Sequence, residues 1–142
     1  PILTPEQKLR VAHWREKYTS DKKRYSAKTN HIFIPLQVDS DTNISIYSPF
    51  SSMKEFISYL ERWLPPEYSV TFRPHPLGNY GYPLVSTREN FSFDSSTPIE
   101  QLIMESSTCI GINSTVLLQS IVYGKPTSAF GQGIFSNSKC IK

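Results

Sequence analysis

Short apolar runs alternate with segments of helical spacing along most of this 142-residue chain, and that alternation restricts its fold more than any other feature. The runs are HIFIPL, YSVTFRP, TCIGI and TSAFG, with a weaker one at Phe91–Phe93. Strands that alternate with helices at this spacing form a parallel sheet joined by crossover helices. Runs that stay apolar throughout suit strands buried on both faces. The predicted fold over residues 31–142 is therefore α/β, a doubly wound, Rossmann-like parallel sheet of about five strands in the order 3-2-1-4-5.

The helices announce themselves by their caps. Ser52 and Glu55 form a capping box, and Met53, Phe56, Ile57, Leu60 and Leu64 then repeat at helical spacing up to Pro65-Pro66. Thr97 is the expected cap of a helix that starts at Pro98, with Glu100 completing the box. A further helix follows Asn113-Ser114-Thr115 and stops at Gly124. Ahead of the sheet, Thr4, Pro5 and Gln7 start an extra N-terminal helix over 4–18, with Val11, Trp14 and Tyr18 on one face. Thr19–Asn30 then reads as a polar, basic connection, which divides the chain into residues 1–30 and the α/β domain at 31–142. QVDSDTNIS reads as a polar loop.

Composition narrows the class. A hydrophobic content of 38% with 13% aromatics supplies a core, which argues against global disorder. The net charge of +3 is too small to indicate nucleic acid. Lys17, Lys22, Lys23, Arg24 and Lys28 hold much of the excess and read as a solvated linker. Cys109 and Cys140 form neither a disulfide framework nor a metal-ligand pattern, and Cys109 reads as a buried thiol. No run is long enough to span a bilayer and no signal peptide opens the chain, so the expected location is cytoplasmic, extending to the inner face of the cytoplasmic membrane by peripheral association at most.

In a sheet of this kind ligands bind beyond the carboxyl ends of the strands. Polar groups gather there: Gln37, Asp39 and Asp41 after the first strand, Arg73 and His75 after the second. Ser96 and Thr97 follow the third, Asn113, Ser114 and Thr115 the fourth, and Gln132 the fifth. The start of a helix at Asn113-Ser114-Thr115 favours an anion through unpaired N–H groups, with two hydroxyls as further donors. His75, held between Pro74 and Pro76, can aim an N–H at the same phosphate. The chain has neither a Walker-type loop nor a GxGxxG fingerprint, which argues against a P-loop ATPase or an NAD enzyme.

FIPLQVDSD, RPHP and INSTVLLQSIVYGKPTSAFGQG, in that order over residues 33–133, resemble the capsular polysaccharide biosynthesis family that includes bacterial β-Kdo transferases. The resemblance implies the donor-binding half of a two-Rossmann-domain (GT-B) glycosyltransferase that uses a CMP-activated sugar without a metal cofactor. It implies that His75 stabilises the leaving phosphate, with Ser114, Thr115, Asn113 and Arg73 around it. Gln37, Asp39, Ser96, Thr97, Gln119 and Gln132 would then contact base or sugar. Gln119 stands where relatives more often carry glutamate, and an amide meets a ribose hydroxyl as a neutral group. The implied partners are the nucleotide-sugar donor, a glycan or glycolipid acceptor, and an acceptor-binding domain or partner chain outside this one, without which no sugar transfer is expected.

Three other readings compete. Asp39-Ser40-Asp41 imitates the metal-binding DxD of the other glycosyltransferase fold. A CDP-glycerol-type phosphotransferase of teichoic acid synthesis would share the His-Pro and hydroxyl motifs. A non-catalytic nucleotide- or partner-binding module would need no acceptor half.

Overall fold

The computed structural model describes residues 4–133, apart from the side chains of 21–23. In chain order they form α1 (Pro5–Arg24), β1 (His31–Pro35), α2 (Thr42–Ser45), α3 (Met53–Trp63) and β2 (Ser69–Arg73). There follow β3 (Phe91–Phe93), α4 (Ile99–Glu105), β4 (Thr108–Gly111), α5 (Val116–Val122) and β5 (Thr127–Ala129). The five strands form one parallel sheet in the order β3-β2-β1-β4-β5, as the alternation predicts.

Successive side chains of a strand face opposite sides, and β1 uses this to supply two cores. Ile32, Ile34 and Leu36 join Val70, Phe72, Phe91 and Ile112, closed by Met53, Phe56, Ile57 and Leu60 of α3. Phe33 faces the other way and packs with Cys109, Leu102, Ile103, Leu117 and Tyr123, contributed by β4, α4, α5 and the residue after α5. Cys109 is the expected buried thiol, and burial pushes its pKa up; Cys140 lies outside the described residues. Gly124 ends α5 with φ 73°, a left-handed conformation that favours glycine, and a side chain there would also meet the Tyr18 hydroxyl at 3.1 Å.

Three local expectations are corrected. First, α1 runs past Tyr18 to Arg24, through half of the expected basic connection. No glycine or proline stands between Pro5 and Pro35 to stop it, and Lys and Arg are good helix formers. Its packing is real but narrow: Tyr18 packs against Tyr123 with ring centroids 5.5 Å apart and planes tilted by 60°, and Lys17 pairs with Glu100 at 2.8 Å. Second, the loop after β1 contains α2, whose cap is Asp41, accepting from Asn43 N–H at 2.9 Å. Third, Thr97 does not cap α4. Pro98 takes the cap position without a side-chain hydrogen bond. Asp94 instead accepts the N–H groups of Ser96 and Thr97, at 2.8 and 2.9 Å.

At the amino end of the sheet, His31 is buried with Nδ1 2.7 Å from the Ser69 hydroxyl and Nε2 3.3 Å from that of Thr71. Burial lowers its pKa, with Lys28 adding to the effect and Glu105 opposing it. The unfolded chain therefore takes up this proton first. The resulting stability is present above the ordinary value of 6.5 and is lost as pH falls through it towards the folded pKa. A second loss is expected below about pH 4, the ordinary carboxylate range, because Asp94, Glu100 and Glu105 all have lowered pKa values. Urea midpoints measured across pH should fall in two stages, and His31→Gln should flatten only the upper one. An unchanged upper slope in that variant would exclude His31 as its source.

Candidate functional site

The strand register fixes the layout of the site. Pro35 pairs with Arg73, Phe33 with Cys109, and Gly111 with Ala129. Two residues beyond β2, β1, β4 and β5 come His75, Gln37, Asn113 and Gly131, a row of loop positions at the carboxyl end of the sheet. Neighbouring strands lie about 4.8 Å apart, so β2 and β4 stand roughly 10 Å apart across β1.

His75 sits in a tight turn in which Gly78 N–H donates to its carbonyl at 2.8 Å. Its backbone N–H donates to the Tyr80 hydroxyl at 3.1 Å. Its Nδ1 accepts the Leu77 N–H at 3.1 Å. An accepting Nδ1 places the proton of the neutral ring on Nε2, which leaves Nε2–H as a donor with no protein partner among the described residues. Gly78 makes room for this arrangement, since a Cβ there would lie 2.7 Å from the Tyr80 hydroxyl oxygen. The loop is tied down again by Tyr82, whose hydroxyl donates to Asp39 and accepts the Lys54 N–H at 3.2 Å. Burial, reinforced by the Asp39 hydrogen bond, pushes the Tyr82 pKa up to about 12.

Several of the sequence-predicted site residues prove to be engaged with the protein itself. Asp39 accepts the Met53 N–H at 2.7 Å at the start of α3, and its other oxygen accepts from Tyr82. Asp41 caps α2 with one oxygen and accepts from Gln37 Nε2 at 2.9 Å with the other. All four carboxylate oxygens of the DxD-like triplet therefore already accept protein hydrogen bonds. Arg73 donates to the carbonyls of Asp94 and Thr97, at 3.2 and 2.9 Å, and lies 3.9 Å from the Asp94 carboxylate. It fastens the end of β2 to the loop of Ser96 and Thr97. Hydrogen bonds from Thr97 and Ser96 hold the Asp94 carboxyl far below its usual range.

On the other side of the row, Asn113 N–H donates to Gln37 Oε1 at 2.9 Å, and Asn113 Nδ2 donates to the Gln132 carbonyl at 3.0 Å. Ser114 Oγ accepts the Val116 N–H at 3.3 Å, which leaves its own proton available. Thr115 is exposed and makes no side-chain cap bond. Thr115 and Gln119 line a groove of about 580 Å³ against Val11, Trp14, Arg15 and Tyr18 of α1. Gln119 lies near the Glu100 carboxylate and helps lower its pKa, behind the larger effect of Lys17, so a glutamate at 119 would set two carboxylates against each other.

Gly131 passes close to Asn113, and a Cβ there would lie 2.5 Å from Asn113 Cγ and 2.8 Å from its Oδ1. Gly131→Ala should push the carboxamide off Gln132 and cost about 1–3 kcal/mol by overpacking. Denaturant unfolding measures this directly. A cost below about 0.5 kcal/mol would mean that the loop yields freely.

Sequence reasoning missed Gly78, Tyr80, Tyr82 and Asp94. Only Asp94 left a usable signal: Asp-Ser-Ser-Thr after a strand is the pattern of a side chain that accepts backbone N–H groups two and three residues on.

A family model described as capsule polysaccharide biosynthesis protein matches residues 4–138. Among solved structures, the chain is similar to two of KpsC from Thermosulfurimonas dismutans, each with a TM-score of 0.67. Against the β-Kdo 2,7 transferase it is 16% identical, covering 92% of this chain and 44% of that one. Against the β-Kdo 2,4 transferase it is 12% identical, covering 99% and 49%. A variant of the wall teichoic acid polymerase TagF is similar at TM-score 0.50 and 19% identity, covering 88% of this chain and 31% of that one. This chain thus spans slightly less than half the length of the KpsC structures. No curated protein matches it in sequence.

Proposed function

The chain belongs to the capsule polysaccharide biosynthesis protein family, and from that premise we propose that it is the donor-binding half of a glycosyltransferase that uses a CMP-activated, Kdo-like sugar. The observation that carries this reading is His75, with its tautomer fixed by Leu77 and Nε2–H uncommitted at the strand end. As CMP leaves the anomeric carbon, charge develops on its phosphate. A preorganised donor aimed at that charge lowers the barrier without reorganising at the moment of reaction. The free hydroxyl protons of Ser114 and Thr115 supply further donors from the other side of β1. Arg73, engaged with carbonyls, adds positive charge at a distance rather than a direct contact. The acceptor is a growing glycan or glycolipid, bound by a second domain or chain. Among the described residues no helix is long and apolar enough to cross a membrane.

CMP carries one phosphate and needs no bridging metal, which agrees with the engaged carboxylates of Asp39 and Asp41. Calorimetric titration should find CMP bound in preference to UMP, with the same affinity in EDTA. Strict metal dependence would overturn the assignment in favour of a DxD-type site. The similarity to TagF makes CDP-glycerol the necessary competitor in the same titration, and tighter binding of it than of CMP-Kdo would move the chain to the phosphotransferase reading.

A further inference from the structure

We propose that Gln37 is a positioning residue: its carboxamide sets the Asn113–Thr115 segment, and so the hydroxyls of Ser114 and Thr115, relative to His75. The phosphate-binding part of this inference rests on the donor-site reading above. Gln37 lies at the end of the central strand and is only 6% exposed. Its Oε1 accepts the Asn113 N–H at 2.9 Å, and its Nε2 donates to Asp41 at 2.9 Å.

These two bonds belong to a closed circuit. Asp41 caps α2, and Tyr47, two residues beyond that helix, accepts the Gln132 N–H at 2.6 Å through its carbonyl. The Gln132 carbonyl accepts from Asn113 Nδ2, and Asn113 N–H returns to Gln37. The loops after β1, β4 and β5 are therefore locked to one another, with Gln37 as the buried link. The amide has one workable orientation. Flipped, it would set its NH₂ against the Asn113 N–H and its carbonyl against the Asp41 carboxylate. Glutamate has no donor for Asp41, and methionine fills similar volume while offering neither group. Either leaves a half-buried backbone N–H or a carboxylate badly paired.

The test uses the full chain with Gln37→Met and Gln37→Glu. Amide hydrogen exchange over residues 112–116 should rise in Gln37→Met without ligand, and less in Gln37→Glu, which keeps an acceptor for the Asn113 N–H; unchanged protection in Gln37→Met would overturn the clamp whatever the chain binds. CMP should bind roughly tenfold more weakly to Gln37→Met, and cytidine should be unaffected. In a Ser114→Ala, Thr115→Ala background the same substitution should add little, because the groups it positions are gone. An equal loss in both backgrounds, or an equal loss for cytidine, would make Gln37 a general support and overturn the positioning role. A wild-type chain that bound no CMP would overturn the donor reading and the phosphate-binding part of this inference together, and exchange would still decide the clamp.

Discussion

His75→Ala should weaken CMP binding by roughly 10- to 150-fold, the equivalent of the 1.5–3 kcal/mol typical of a hydrogen bond to a charged group. Cytidine, which lacks the phosphate, should bind wild type and variant almost equally. The comparison matters because the imidazole has two roles: Nδ1 holds the turn through Leu77, while Nε2–H has no protein partner among the described residues. His75→Asn separates them. Its side-chain oxygen can take the place of Nδ1 and keep the turn, but no donor then reaches the position of Nε2. Both variants should therefore lose CMP affinity to a similar degree. If His75→Asn binds CMP as wild type does, the histidine serves the loop alone and the phosphate reading fails. Ser114→Ala and Thr115→Ala should each cost less than His75→Ala, because each hydroxyl is one of several donors on that side.

The sheet was legible because its determinants are local and repeated. HIFIP, SVTFR and TCIG are strands because their apolar, β-branched and aromatic residues suit burial on two faces, and the helices between them carry capping signals readable within four residues. The order 3-2-1-4-5 is one of the few that right-handed crossover connections allow in a doubly wound sheet. The capping boxes at Thr4/Gln7 and Ser52 form much as expected, although Glu55 reaches Ser51 rather than Ser52.

The site was legible only as a set of residue types at strand ends. Which of them face a ligand depends on partners distant in sequence: Gln37 on Asn113, Asp39 on Tyr82, Arg73 on the carbonyls of Asp94 and Thr97. A polar residue at a strand end looks the same in sequence whether it meets a substrate or satisfies a buried backbone group. The loop over residues 77–90 is the clearest case. It reads as glycine-, proline- and tyrosine-rich connection, yet Tyr80 and Tyr82 use it to fasten His75 and Asp39. The groove beside Thr115 and Gln119 was invisible for a related reason. The face of Val11, Trp14 and Tyr18 predicts that α1 packs on something, yet only Tyr18 does so, against Tyr123, while Val11 and Trp14 stay exposed along the groove opposite α5.

The stability of this arrangement should depend most sharply on Phe72, the residue before Arg73 and three before His75. Its side chain is fully buried, with Phe93 stacked at 5.0 Å and Phe91 edge-on at 5.7 Å between centroids. Phe72→Ala removes a whole ring from between these neighbours, and two short strands cannot collapse to fill the space. The expected cost is about 3–5 kcal/mol, a large part of the roughly 5–15 kcal/mol that keeps a domain folded. It should appear as a lower urea midpoint with little change in slope. Ser92→Ala is the control, because Ser92 is itself exposed between Phe91 and Phe93 and faces the other side of the sheet, where its hydroxyl meets Thr71 Oγ1 and the Val70 carbonyl, each at 3.2 Å. It should cost less than about 1 kcal/mol. Equal costs for the two substitutions would mean that the sides of the sheet are assigned the wrong way round. That error would also displace His75, since the side to which each strand-end residue turns follows from the same alternation.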